Sequence, residues 1–347
     1  MTILQTLADN LAEILVVPSF TRIGFDLRRR LFDWPDAESY PMTGRTVVLT
    51  GPTSGLGRAA AGSFARMGAR LVLVGRDAGR LEKVRGELLA ERPDASIATV
   101  VADMASLASV RAAADEILAT QPRIDVVVDN AGVIVAQREV TDEGFERTFA
   151  TMVLGPFVLV SRLLPRLAES PDGRVVAVTS GGMYTQALPV DDLGYEHGEY
   201  NGPMAYARAK RAQVALVREW ARRLGGRGPA VNAMHPGWAA TPGLSASLPG
   251  FYERIGDRLR TPAEGVDTIL WLAASPEARE RSGRLFLDRR ERPFDRIPST
   301  RLSASRRREL WARVVELTGE RDPLTVPADD RSVAPADEPM AEAAPAA

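Results

Sequence analysis

Cysteine is absent from the 347 residues, which removes disulfides, thiolate nucleophiles and Cys-ligated metal together. Histidine is almost absent: His197 and His235 are the two present, neither has a partner at ligand spacing, and no His-rich metal centre is expected. An excess of one charge is missing too. Forty-four basic residues against forty-five acidic ones leave no cationic surplus for nucleic acid or an anionic bilayer. Lysine is scarce, with Lys83 and Lys210 standing among forty-two arginines. The amino terminus carries no uninterrupted apolar run: Asp9, Asn10 and Glu13 break residues 3–17 and no basic region precedes them. That excludes a membrane span there and argues against a secretory leader, so the cytoplasm is the expected compartment. Ile3, Leu4, Leu7, Leu11, Ile14 and Leu15 do fall at helical spacing. The spacing predicts an amphipathic helix packed on the body of the protein, with a linker completing residues 1–42. Its polar face is not cationic enough for a typical interfacial anchor, although Arg28, Arg29 and Arg30 keep membrane contact open as the less favoured alternative.

What is present begins at Thr46, where short aliphatic runs start to alternate with longer amphipathic ones. TVVLT leads to a helix from about Gly55, LVLVG at 71–75 to a helix with Leu81 and Leu88, a run ending at Val101 to a helix from Ser106, and IDVVVDN follows at 124–130. The rhythm continues through Val175–Thr179, a helix holding Tyr206 and Lys210, Ala230–Met234, a helix at Glu264–Ala274 and Arg284–Leu287. Strand and helix in this order predict an α/β fold, a doubly wound parallel sheet covered on both faces. No linker interrupts residues 43–290, which read as one domain. Residues 291–320 form an extension whose Ser303–Leu317 reads as a helix with Leu310, Trp311, Val314 and Val315 on one face. Residues 321–347 are Pro, Ala and acidic residues, with too little apolar surface to order, and are expected to be a disordered tail.

Two stretches carry chemistry. In Met204–Lys210 a phenol and an ammonium lie four residues apart, one helical turn, and so on one face. An ammonium beside a phenol favours phenolate, and bringing a Tyr from about 10 to near neutrality takes roughly 3 units, or about 4 kcal/mol. Tyr206 would then donate and accept protons. The other stretch, Thr50-Gly51-Pro52-Thr53-Ser54-Gly55-Leu56-Gly57, ends a strand and opens a helix. Its glycines allow close approach to a pyrophosphate, and the helix amino terminus offers free N–H groups. At the end of the second strand, where an acid would accept from the ribose of NAD, stand Gly75 and Arg76, with Asp77 one place later. A guanidinium there suits a 2′-phosphate, favouring NADP(H) over NAD(H).

Taken with Asn130-Ala131-Gly132, these motifs resemble those of the short-chain dehydrogenase/reductases, a family with a Rossmann fold. VTSGGMY at 178–184, YARAKRAQV at 206–214, MHPGWAATPG at 234–243, LPGFYERIGDRLR at 248–260 and SGRLFLDRR at 282–290 are similar to one branch of it, the dehydrogenase/reductase member-twelve-like proteins. The resemblance covers about residues 1–318. It implies that Ser180 holds a substrate carbonyl, that Tyr206 is the acid or base, and that Lys210 lowers the Tyr206 pKa and holds the nicotinamide ribose. It places Gly51, Thr53, Ser54, Gly55, Leu56, Gly57, Arg76, Asp103, Asn130, Ala131, Gly132, Tyr206, Lys210, Pro236, Gly237 and Thr241 around the cofactor. His235 is expected to be structural. Two residues depart from the pattern. Met152 stands where the family usually carries a water-holding Asn, and a thioether is a poor acceptor. Asp129 stands where a first Asn would precede Asn130, either as a carboxylate near the cofactor or as a variation in packing.

The expected activity is hydride transfer between NAD(P)(H) and a carbonyl or alcohol. Met152, Met183, Tyr184, Trp238, Leu248, Phe251 and Tyr252 are the pocket candidates, pointing to an apolar small-molecule substrate. The alternative, motivated by Met152, is an NADP(H)-binding regulatory or interaction protein with weak turnover. The family resemblance implies a homodimer or homotetramer.

Overall fold

A computed structural model describes residues 5, 9, 13, 16–247 and 249–324, apart from the side chain at 247. Among these, eight strands form one sheet: β1 (Thr46–Thr50), β2 (Arg70–Gly75), β3 (Ile97–Val101), β4 (Val126–Asp129), β5 (Arg174–Val178), β6 (Ala230–Met234), β7 (Leu285–Leu287) and β8 (Arg290–Arg292). Their spatial order is β3-β2-β1-β4-β5-β6-β7-β8. All pair in parallel except β7 with β8. The turn between those two places Asp288 and Arg289 at φ 52° and 54°, the left-handed pair that a tight hairpin requires. The expected doubly wound sheet is therefore present, with an antiparallel edge strand not foreseen in residues 290–292.

Strand periodicity explains the two cores. Val48, in register with Val72 and Val127, faces helices α5 (Leu107–Thr120), α6 (Gly155–Ala168), α7 (Gly202–Leu224) and α9 (Ala304–Thr318). Its neighbours Val47 and Leu49 face α3 (Gly55–Arg66), α4 (Ala78–Glu91) and α8 (Pro262–Ala274) on the other side. Successive side chains point to opposite faces, and because helices cover both, the strands carry apolar residues at every position. The stretch 147–168 is long and apolar enough to cross a membrane, but most of it is buried here as a core helix.

Beyond the sheet, α9 is capped by Ser303, whose hydroxyl accepts from the Arg306 N–H. Its Trp311 packs edge-on against Phe157 and Trp220, so this helix completes a core. At the other end, α1 (Val16–Phe20) and α2 (Arg22–Phe32) are anchored by Arg28, fully buried and bonded at 2.7 Å each to Asp9, Glu13 and Asp288. The apolar positions expected to make a helix of residues 3–15, and 325–347 of the expected tail, lie outside the described residues.

Candidate active site

Strand order reverses between β1 and β4, and the crevice at their carboxyl ends is where a doubly wound sheet takes its ligand. There β1 runs into Gly51, at φ +68°. A Cβ on Gly57 would sit 2.0 Å from the Gly51 carbonyl oxygen, and one on Gly51 would lie 3.0 Å from the Ala131 Cα. The backbone is folded back on itself so that α3 starts at the strand end, and Ser54 precedes it with no side-chain capping bond. This glycine cradle opening a helix is shaped for a pyrophosphate. Asn130 braces it from beneath: its amide donates to the carbonyls of Thr50 (2.9 Å) and Gly51 (3.2 Å). The Thr50 hydroxyl in turn accepts from the N–H groups of Asn130 and Ala131. Asn130 thus supports the loop instead of facing outward from it.

Of the remaining cofactor candidates, Thr241 is packed against the cradle. Thr241 packs across Gly55, its side-chain carbons 3.2 Å from where a Cβ would stand, and Leu56 fills the space left at Gly265. Pro236 and Gly237 form the bend after β6; Gly237 has φ +69°, and a Cβ there would strike the Arg260 guanidinium and the Phe20 carbonyl. Asp103, after β3, is half exposed and accepts from the Ala105 N–H at 2.9 Å. Arg76 is exposed, and among the described residues its side chain has neither a hydrogen-bond nor an ion-pair partner. Asp77 caps α4 by accepting from the Arg80 N–H at 2.9 Å, and Arg80 reaches back to the Thr53 carbonyl. Thr53 and Ser54 lie at the cradle's rim, while Gly132 follows Asn130 and Ala131 at the end of β4.

The reactive side chains meet across the same crevice. Asn201 caps α7 by accepting from the Met204 N–H, and one turn along that helix come Tyr206 and Lys210. Ser180, just past β5, sets its hydroxyl beside the Tyr206 phenol and accepts from the Gly182 N–H at 3.3 Å. Lys210 is buried, its Nζ 5.7 Å from the centre of the Tyr206 ring, and donates to the Val178 carbonyl at 2.8 Å. The phenol does not stand near neutrality as expected. Burial holds it above the ordinary tyrosine range, with the neighbouring Ser180 hydroxyl acting in the opposite sense. The ammonium is directed at a carbonyl of β5, not at the phenolic oxygen, and a buried carboxylate favours its charged form without forming a salt bridge to it. That carboxylate is Asp129, which accepts from the Gln213 amide at 2.8 Å.

The pocket candidates divide. Met152, Met183 and Tyr184 are buried in the core, and the Tyr184 hydroxyl is committed to the Pro293 carbonyl. Trp238, Phe251 and Tyr252 are partly open, with Trp238 edge-on to Phe251 at 4.8 Å. Leu248 lies outside the described residues. Phe20 completes this aromatic wall, a residue that no motif marked. It packs edge-on against Trp238 at 5.6 Å, and its ring is 2.4 Å from where a Cβ on Gly181, next to Ser180, would stand. His235 has both ring nitrogens buried without a partner, and burial, then the nearby Arg260 charge, pushes its pKa down to about 3. It is a neutral packing residue between Phe20 and Tyr184. Among the described residues no cluster of potential ligands could hold a metal ion.

A glycine cradle at the switch point of a doubly wound sheet, facing a Ser, Tyr and Lys set, defines a nicotinamide-dinucleotide-dependent oxidoreductase acting on alcohol and carbonyl groups. The short chain dehydrogenase family model matches residues 45–249. The chain is 39% identical over 289 residues to dehydrogenase/reductase SDR family member 12 of Bos taurus, covering 82% of this chain and 89% of that one. It is 37% identical to retinol dehydrogenase 14 of Homo sapiens, covering 78% and 85%. A solved structure from Beutenbergia cavernae, provisionally assigned as an NAD(P)-dependent gluconate 5-dehydrogenase with NADP bound at low occupancy, is 31% identical with a TM-score of 0.57, over 72% of this chain and 96% of that one. The chain belongs to the short-chain dehydrogenase/reductase family.

Proposed function

We propose that this enzyme interconverts an alcohol and a carbonyl on an apolar substrate, with NADP(H) preferred to NAD(H). The observation that carries the reading is the placement of the Ser180 hydroxyl beside the Tyr206 phenol, one helical turn from a buried Lys210 and beside the glycine cradle. Ser180 holds the substrate oxygen, Tyr206 gives it a proton in reduction and takes one in oxidation, and Lys210 supplies positive charge behind the phenol. When bound, the nicotinamide supplies or accepts the hydride. Positioned proton transfer contributes about 10² to 10⁴ in rate. Tyr206→Phe should therefore cost turnover by that factor while NADPH binding, followed by its fluorescence, persists. Turnover surviving the substitution refutes the mechanism.

For the cofactor, the support is that the Arg76 side chain has no partner among the described residues while Asp77, the one carboxylate of that turn, is engaged as a helix cap. For the substrate, it is the partly open pair Trp238 and Phe251, backed by the buried Phe20 ring, together with a relative whose name specifies retinol. A panel of apolar ketones and aldehydes should be turned over, and activity confined to small polar sugars would overturn this.

Contact with a bilayer is favoured by a separate observation. Of seven large apolar side chains exposed among the described residues, Val16, Val17, Ile23 and Leu27 lie on α1 and α2, and Arg29 and Arg30 are exposed beside them. Full-length protein should float with liposomes of apolar and anionic lipid, and a chain starting near Gly44 should not. Equal behaviour removes the reading and leaves the cytoplasm as the proposed location.

A further inference from the structure

The carboxylate at the end of β4 has a use that packing does not explain. Asp129 is buried, its Oδ2 accepts from the Gln213 amide at 2.8 Å, and its Oδ1 has no hydrogen-bond partner. Gln213 lies three residues beyond Lys210 on α7, so the amide that orients the carboxylate and the ammonium share one helix face. On the side of Gly132 the ammonium is closed in by an uncharged group. A Cβ on Gly132 would lie 3.3 Å from the Met152 sulfur and 3.7 Å from the Lys210 Nζ, which places the thioether and the ammonium on either side of the same small space. A thioether solvates a cation poorly. Among the described residues the Lys210 ammonium makes one hydrogen bond, to the Val178 carbonyl, which leaves two of its three donors without a partner there. A buried half-solvated ammonium needs a counter-charge, and Asp129, tied to the same helix through Gln213, is the acid whose charge acts on it.

We propose that Asp129 is a positioning residue for Lys210: its carboxylate is the counter-charge that keeps the lysine an ammonium inside the closed end of the crevice. This rests on the catalytic reading of Lys210 given above. Around the pair, α7 presents Tyr206, Lys210 and Gln213, β5 presents the uncharged Val178, and the turn before α6 presents Met152. Burial displaces each member toward its neutral form, Asp129 upward and Lys210 downward. Among the described residues, the charge opposing that displacement is, in each case, the other member. An opposite charge at close range favours the ionised state by about one to three pH units.

The lysine content makes the test direct. Besides Lys210 the chain has only Lys83, which is exposed, so ¹³C-lysine labelling of the full-length protein yields two titrating signals, assigned with Lys83→Arg. In Asp129→Asn the Lys210 signal should titrate at least one pH unit lower than in the wild type, a tenfold or greater loss of proton affinity, while Lys83 stays put. Gln213→Leu leaves the carboxylate but removes its hydrogen bond, and should move Lys210 in the same direction by a smaller amount. It also provides the reading if Asp129→Asn folds poorly. In the reductive direction the alkaline limb of kcat should fall with the Lys210 titration, because that limb reports loss of the ammonium. A Lys210 titration unchanged in both folded variants overturns the proposal. Since that signal needs no turnover, the outcome is separate from Tyr206→Phe: a Lys210 shift with an active Tyr206→Phe sinks the mechanism and keeps the role of Asp129 as counter-charge, and the reverse pattern does the opposite.

Discussion

Replacing Arg28 with Met tests how the amino-terminal helices are held against the active site. The guanidinium is fully buried and bonds Asp9, Glu13 and Asp288, each at 2.7 Å, as well as the Ser19 hydroxyl at 2.7 Å and its carbonyl at 3.1 Å. Removing one partner of a buried pair costs about 3 to 5 kcal/mol, because the other charge is left uncompensated. Here each deeply buried acid keeps a second arginine: Asp288 retains Arg260 and Asp9 retains Arg292. The loss should therefore be near the lower end, about 3 kcal/mol. With an unfolding entropy of about 2.1 cal/mol/K per residue over roughly 300 ordered residues, that is a fall in Tm of about 5 °C. Near-UV circular dichroism during a thermal scan reads it, and a fall below about 1 °C would refute the reasoning. Acid sensitivity gives a second check. Burial would raise the Asp9 and Asp288 carboxyls, but for Asp9 the bonds to Arg292 and Arg28, and for Asp288 the Arg260 and Arg28 charges, more than offset it and hold both below their ordinary value. Their stabilisation is present above the unfolded carboxyl value of about 3.9 and is lost as pH falls through the lower folded values. Arg28→Met raises those folded values, so its acid unfolding should begin at a higher pH than the wild type's.

Arg76→Glu should raise the KM for NADPH by about tenfold or more and leave NADH little changed, since a charge-assisted bond of roughly 1.5–3 kcal/mol is replaced by repulsion. Equal effects on the two cofactors would mean that Arg76 does not meet the 2′-phosphate. In Gly57→Ala the new methyl would stand 2.0 Å from the Gly51 carbonyl, so the cradle must open and NADPH affinity should drop at least tenfold, read by fluorescence titration. Unaltered affinity would show that the pyrophosphate does not bind there. Met152→Asn places a polar amide beside Lys210 and should increase kcat if the thioether interrupts proton exchange with solvent. No change in kcat or in its pH dependence would show that the relay runs elsewhere.

Local pattern was enough for much of this. The alternation of aliphatic and amphipathic segments predicts the parallel sheet because an uninterrupted apolar strand is stable only with both faces covered. Thr50–Gly57 is legible because its glycines stand where Cβ atoms would collide. Tyr206 and Lys210 are legible because a helix puts residues four apart on one face. Less of the electrostatics could be read. Spacing places an ammonium one turn from the phenol, but not which atom it bonds; it bonds the Val178 carbonyl, and the phenol stands above its usual range instead of below it.

Phe20, 160 residues before Ser180, had no motif to mark it, and it reaches the site because buried charges dock α1 and α2 beside the β7–β8 hairpin. Met183 and Tyr184 neighbour the catalytic segment in sequence yet turn into the core, since the short turn after Ser180 points them away from the crevice. Element type, strand order and the cradle follow from interactions between residues near one another along the chain, where steric rules and periodicity act. Side-chain ionisation, the aromatic wall and the pairing of Asp129 with Lys210 depend on burial and on charges brought together from distant segments, and these quantities come into being only when the chain is packed.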